Sequence, residues 1–194
     1  MNTEPDEFYI SQTLNGDVNA FAFLVEKYKH MVFTLAIRII KNREEAEEIS
    51  QDVFVKSFQK LSNFKGDSKF STWLYKIAYN TSLDELRRNK KHVRSENIEN
   101  INDGDLENVQ DALEFLQEEE RKKVIKKALL KLDEVQRTIL TLFYFEEQSL
   151  EEISKVVNLT ANNVKVKLYR SRKKLASILE QQLESETIGY YTNS

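Results

Sequence analysis

Apolar positions recur three and four residues apart along most of the chain, which is the spacing of one face of an α-helix. The longest such run lies between residues 17 and 40. Its stripe consists of Phe21, Leu24, Val25, Tyr28, Val32, Leu35, Ala36 and Ile39. We therefore predict a long helix here, capped by Asp17, after a short opening helix that Gly16 ends.

Two more helices are predicted in this part of the chain from residues suited to helix starts. Asn42 precedes Glu44 and Glu45, an arrangement typical of a helix start, and this helix is expected to end near residue 61. A polar loop over residues 62–71 follows. Ser71 or Thr72 is then expected to cap a helix from residue 73 to about residue 89.

Two short helices close together are predicted near the C-terminus. Asp133 resembles a cap for one helix, and residues 149–152 form the pattern Ser-x-x-Glu of a capping box for the next. Asn158 is suited to the left-handed conformation that ends a helix, and Thr160 caps a last, basic helix. The short turn at residues 157–160 is typical of a helix-turn-helix, which we place between residue 132 and about residue 179.

Turn residues are scarce, with four glycines and one proline in 194 residues, so a sheet architecture is not expected. The predicted fold class is all-α, with two small helical domains joined by an acidic linker. The domains are residues 1–90 and 118–184, and the linker is residues 91–117. Residues 185–194 are expected to form a loose tail.

Several kinds of chemistry are excluded by composition. The chain has no cysteine and no apolar run long enough to span a membrane, and Glu4, Asp6 and Glu7 stand where a signal peptide is basic. Its only histidines, His30 and His92, lack the Glu-x-x-His pattern of carboxylate-bridged metal enzymes. We expect a cytoplasmic protein that is not an enzyme and has no cofactor, no metal and no small-molecule substrate.

The last predicted helix concentrates positive charge although the whole chain has a net charge of −3. Residues 165–174 include six Lys or Arg and no acid. Val164, Leu168 and Leu175 fall on one arc and are expected to pack inward. The opposite side suits a major groove, since Asn pairs with adenine, Val contacts a thymine methyl group and basic residues bind phosphates. A solvated basic face is the alternative.

Two sequence segments carry a family resemblance. Residues 43–54 read REEAEEISQDVF, and residues 64–80 read FKGDSKFSTWLYKIAYN. With the helix-turn-helix, they make the chain similar to the extracytoplasmic-function (ECF) sigma factors of RNA polymerase. The likeness covers residues 20–88 and 128–179. It implies three partners, namely core RNA polymerase, promoter DNA and an anti-sigma factor.

The resemblance assigns roles to residues of the first domain. Glu48, Gln51 and Asp52 would bind the clamp helices of core polymerase, although an acidic solvated face is the alternative. Residues 63–70 would hold a base flipped out of the minus-ten element. The minus-ten set is Asn63, Phe64, Lys65, Asp67, Ser68, Phe70, Trp73, Lys76 and Asn80. Core packing is an equal alternative for Trp73 and the favoured one for Phe70.

The last helix would read the minus-thirty-five element. The predicted set is Thr160, Asn162, Asn163, Lys165, Val166, Lys167, Tyr169, Arg170 and Lys173. Asn163, Val166 and Lys167 stand where Thr, Ser and Arg are frequent in the family, so a promoter sequence does not transfer. The alternative function is a helix-turn-helix regulator with an N-terminal sensor domain, which would bind DNA without being a polymerase subunit.

Overall fold

A computed structural model describes residues 4–90 and 117–192, and within these ranges the chain is helical without strands. The α-helices are α1 (Asp6–Leu14), α2 (Val18–Ile40), α3 (Arg43–Gln59), α4 (Phe70–Lys90), α5 (Glu118–Leu130), α6 (Glu134–Tyr144), α7 (Leu150–Val157) and α8 (Ala161–Thr192). A short 3₁₀ helix, Leu61–Asn63, follows α3. The all-α prediction is confirmed. Most of the predicted linker lies outside the described residues.

Two compact units make up the fold. Among the described residues, the first contains residues 4–90 and Glu151–Leu159, and the second contains residues 117–150 and 160–192. No helix in the described ranges is both long and apolar enough to cross a membrane.

Helix α2 is the centre of the first unit, with α1, α3 and α4 packed against it. The stripe predicted from its sequence is buried at most positions. Fully buried apolar side chains of this unit include Leu24, Val32, Leu35, Ile39, Val53, Leu61 and Leu74. Because these side chains come from several helices, their burial fixes the surfaces that α3 and α4 present to solvent.

Side-chain caps start α2 and α3 where the sequence predicted them. The Asp17 carboxylate accepts a hydrogen bond from the Asn19 backbone N–H at 3.0 Å. The Asn42 side-chain oxygen accepts from the N–H groups of Glu44 at 3.0 Å and Glu45 at 3.3 Å. These bonds satisfy donors that the first turn of a helix leaves unpaired.

Replacement of Asn42 by Ala is expected to lower the free energy of unfolding by about 1 kcal/mol, because α3 loses its N-cap. Urea unfolding of the full chain, followed by far-ultraviolet circular dichroism, measures this loss. Asn42→Asp restores the acceptor and should recover most of the stability. An Ala variant as stable as the parent would contradict the capping role.

The predicted start of α4 was wrong. The helix begins at Phe70, ahead of Ser71 and Thr72, and Thr72 is buried within it. The Phe70 ring is 2% exposed, and its centre lies 5.6 Å from that of Tyr28 and 5.5 Å from that of Trp73. Burial of this ring favours an earlier helix start, which outweighs the local preference of Ser and Thr for a cap position.

Helices α5, α6 and α8 pack together in the second unit, where α8 contacts both of the others. The Asp133 carboxylate accepts from the Gln136 N–H at 2.8 Å, as predicted for a cap. Val164 and Leu168 are buried as expected, whereas Leu175 is only half-buried. Ile139, Leu142 and Ile178 complete the apolar packing.

A buried arginine joins α5 to α6. The Arg137 side chain is 2% exposed. Its Nε donates to the Leu129 carbonyl at 2.8 Å, and its Nη2 donates to the Leu132 carbonyl at 2.5 Å. The Leu129 carbonyl lies in the last turn of α5 and the Leu132 carbonyl in the turn just after it, where the helix dipole favours a cation. Burial lowers the pKa of the guanidinium from its ordinary value, while Glu134 and Asp133 oppose that shift.

The turn between α7 and α8 has the predicted local geometry. Asn158 is left-handed with φ 56°, and the Leu159 N–H donates to the Ser154 carbonyl at 3.1 Å. Thr160 Oγ1 accepts from the Asn163 N–H at 3.2 Å and caps α8. The chain therefore has the short helix, left-handed turn and capped second helix that a helix-turn-helix requires.

Helix α8 extends further than predicted. It continues to Thr192, through residues expected to form a loose tail. Residues 185–192 contain one glycine, Gly189, and no proline, so they carry no strong stop signal. Elongation of an existing helix needs no new nucleus, and a polar segment can continue it.

Candidate nucleic-acid interface

One side of α8 presents polar and basic side chains to solvent. Val166 is 41% exposed and Tyr169 is 58% exposed, so both side chains are open to a partner. The other exposed members of the predicted set are Thr160, Asn162, Asn163, Lys165, Lys167 and Arg170. The structure thus brings the predicted minus-thirty-five residues together along the solvent side of α8.

Lys173 differs from this group because it is half-buried. Its Nζ lies 5.3 Å from the centre of the Tyr169 ring, which places the two side chains together one turn apart. Thr160 also differs, since its hydroxyl is used as the α8 cap. Amides near the start of α8 and cations further along suit base edges and phosphates respectively.

An acidic face on α3 is equally open. Glu48, Gln51 and Asp52 are exposed, whereas the neighbouring Ile49 and Val53 point into the core. In the part of the chain that the structure describes, none of the three exposed side chains has a hydrogen bond or ion pair. Glu48 and Asp52 are one helical turn apart and present two carboxylates to a basic partner.

The loop before α4 rests on an aromatic cluster. Phe64 is half-buried, and its ring centre lies 5.6 Å from that of Phe70 and 5.4 Å from that of Trp73. Asn63, Lys65 and Asp67 are exposed, and Ser68 is half-buried. The loop therefore carries polar side chains next to a layer of aromatic rings.

Gly66 gives this loop an open, tightly turned backbone. Its φ of +75° is a left-handed conformation that favours glycine. Apart from its two chain neighbours, no atom of the described residues lies within 4 Å of the position that a Cβ would occupy.

The first half of α4 continues the same surface. Trp73, Lys76 and Asn80 follow at spacings of three and four residues, with Lys76 and Asn80 exposed and Trp73 half-buried. Phe70 does not share this exposure and packs inward, which agrees with the favoured alternative for this residue. It supports the loop from below.

Sequence reasoning missed the contribution of α1 to this region. Residues of α1 and residues 64–66 line a common cleft of about 340 Å³. The contact joins segments about fifty residues apart, and no local pattern signals such a pairing.

Family models match most of the chain. Residues 24–92 match the family described as Sigma-70 region 2, and residues 122–175 match Sigma-70, region 4. A relative from Bacillus subtilis strain 168, the ECF RNA polymerase sigma factor SigW, is 34% identical over 177 residues. That alignment covers 86% of this chain and 92% of SigW.

Two solved structures share the fold. One is CnrH in complex with the cytosolic domain of CnrY, with a TM-score of 0.67 and 24% identity over 92% of this chain and 99% of CnrH. The other is the sigma factor RpoE in complex with the anti-sigma factor NepR from Bartonella quintana. Its TM-score is 0.62 at 22% identity over 82% of this chain and 96% of RpoE.

Proposed function

The chain belongs to the ECF sigma factors of the sigma-70 family, and we propose that it binds core RNA polymerase and directs it to promoters with two separate DNA-binding surfaces. One surface comprises the 63–70 loop and the start of α4, and the other is the solvent side of α8. The observation that carries this proposal is the exposure of a polar or basic surface inside each of the two matched family segments.

Core polymerase binding is assigned to the acidic face of α3. Glu48, Gln51 and Asp52 are exposed and without partners in the described residues, so they are available to cations of a partner. Charge complementarity of this kind steers association and fixes orientation. We assign residues 1–90 to the polymerase-binding and minus-ten domain, and residues 118–184 to the minus-thirty-five domain.

The minus-ten surface is assigned to strand opening. A base that leaves the duplex needs an aromatic or apolar support and polar groups for its edge. Phe64, Lys65 and Ser68 supply these in the loop, and Trp73, Lys76 and Asn80 extend the contact along α4. Asn63, Asp67 and the buried Phe70 complete the set, with Phe70 in a supporting role.

The mechanism is binding, and the chain itself carries out no catalytic step. When both domains are held on core polymerase, engagement of one promoter element makes the second contact intramolecular. The effective concentration of the second surface then exceeds that of the free protein, and avidity rises. Residues 91–117 connect the two domains.

Replacing Arg170 and Lys173 with Ala is expected to reduce promoter-specific transcription about tenfold at physiological salt, because two phosphate-neutralising charges are lost. Binding to core polymerase should not change. Run-off transcription with a promoter template measures the first quantity, and co-elution with core polymerase measures the second.

Lys122 and Lys126 supply a matched control for this prediction. Both are exposed lysines on α5, which is not part of the proposed DNA-binding surface on α8. The pair Lys122→Ala and Lys126→Ala removes the same charge and should retain nearly full transcription. Unchanged transcription by the Arg170 and Lys173 variant would remove these residues from the DNA surface.

An anti-sigma factor is a further proposed partner, supported by the fold shared with the NepR-bound sigma factor. Its expected targets are the α3 face and the two DNA surfaces, because masking them would block both activities. We also place the protein in the cytoplasm, where RNA polymerase acts. A regulator that works without polymerase is not favoured, since the first domain matches Sigma-70 region 2.

A further inference from the structure

Helix α1 and the 63–70 loop form the two sides of an open cleft of about 340 Å³. The α1 side presents Glu7 and Ser11, one turn apart on the helix, and Asn15 directly after its C-terminal end, with Leu14 beside them. The loop side presents the half-buried Phe64 ring and the exposed Lys65. The cleft thus combines an apolar wall with a carboxylate, a hydroxyl, an amide and a cation.

The α1 side is fixed to the rest of the unit by Asp6. The Tyr28 hydroxyl donates to Asp6 Oδ2 at 2.5 Å, and Lys27 Nζ pairs with Asp6 Oδ1 at 2.6 Å. Burial and the neighbouring Asp6 raise the pKa of Tyr28 above its ordinary value, so the hydroxyl stays protonated as a donor even in alkaline solution. The Tyr28 ring also lies 5.6 Å from the Phe70 ring. These contacts hold α1 beside the 63–70 loop.

These groups suit one unpaired nucleobase. The base has an apolar face for Phe64 and Leu14 and hydrogen-bonding edges for the polar side chains, and its phosphate would meet Lys65. The match to Sigma-70 region 2 begins at residue 24, so it assigns no role to α1.

We propose that α1 forms the second wall of the base-binding site, with Glu7, Ser11 and Asn15 reading the edge of the captured base. This inference rests on the proposed function of the 63–70 loop. A carboxylate only accepts hydrogen bonds, so Glu7 favours a base with an exocyclic amino group. Thymine is disfavoured because it presents two carbonyl oxygens beside a single N–H.

A bulky residue at position 11 tests occupancy of the cleft. Ser11→Phe should lower open-complex formation by the holoenzyme about tenfold, since the base loses its place. The matched control is Gln12→Phe, which adds the same ring to an exposed neighbouring position that does not line the cleft. Circular dichroism of both variants checks that they fold.

An abasic nucleotide, placed in turn at each minus-ten position, identifies the base concerned. At one position, the abasic template should lower open-complex formation by the parent protein to the level that Ser11→Phe shows on the intact template. Ser11→Phe on that abasic template should show no further loss, because both changes remove the same interaction. The inference would be overturned if the losses in open-complex formation from Ser11→Phe and from the abasic nucleotide multiplied at every position. It would also be overturned if Ser11→Phe formed open complexes as well as the parent. If the parent itself gives no open complex with core polymerase, the proposed function fails instead.

The base preference tests Glu7 separately. On templates carrying each of the four bases at that position, Glu7→Gln should reduce the discrimination against thymine about tenfold, since the amide both donates and accepts. Glu4→Gln removes the same charge outside the cleft and should preserve the preference. An unchanged preference in Glu7→Gln would exclude Glu7 as a reading residue.

Discussion

Replacing both Glu48 and Asp52 with Lys is expected to weaken binding to core RNA polymerase at least about a hundredfold, because each substitution turns an attractive charge contact into a repulsive one. Both side chains are exposed on α3, so the substitutions remove no packing. Affinity for core polymerase, measured by titration with a fluorescently labelled chain, gives the size of the effect. Promoter-specific transcription should fall in parallel.

The control for this variant has the same change in charge elsewhere in the first unit. Glu26 lies on α2 and Asp84 on α4, and both are exposed. Within the described residues their ion pairs are surface pairs, with Lys29 and Arg87 respectively. Loss of such pairs costs little stability. The pair Glu26→Lys and Asp84→Lys should bind core polymerase normally. Equal weakening by both double variants would show that net charge, and not the α3 face, controls binding.

Replacing Arg137 with Ala is expected to lower the free energy of unfolding of the second unit by about 3 kcal/mol, because it removes the guanidinium donors to the Leu129 and Leu132 carbonyls and opens a cavity. The guanidinium contacts the carbonyls of Leu129 and Leu132, so the junction of α5 and α6 loses its main polar connection. Hydrogen exchange at the amides of α6, followed with increasing urea, reports the loss locally.

Two other substitutions at position 137 separate the effect of the lost hydrogen bonds from the effect of the cavity. Arg137→Met fills most of the volume without donors, and Arg137→Lys keeps the charge with a different donor geometry. Both should lie between the parent and Arg137→Ala in stability. If Arg137→Met were as stable as the parent, the hydrogen bonds to α5 would contribute nothing, and the account of this junction would be wrong.

Local signals predicted most helix starts correctly. Asp17, Asn42, Asp133 and Thr160 each cap a helix as expected, since capping depends on residues within one turn. The start of α4 was misplaced because burial of Phe70 depends on Tyr28, which lies on another helix. A short-range pattern contains no information about that contact.

The candidate site, too, could be predicted from the sequence only in part. The exposed face of α8 followed from helical rotation alone, because Val164 and Leu168 define the opposite, buried side. Arg137 was missed since a charged residue is rarely fully buried, although it lies three residues before Leu140 on the apolar side of α6. The cleft beside α1 depends on the tertiary placement of Glu7, Ser11 and Asn15 against the loop, which periodicity does not specify.

Run-off transcription with purified core RNA polymerase tests the central claim most directly. The templates are genomic fragments from the source organism, including the region upstream of the gene for this chain. We predict discrete transcripts that require both the chain and core polymerase. Sequence-specific binding of the free chain to these fragments, with no transcript when core polymerase is added, would contradict the assignment as a sigma factor.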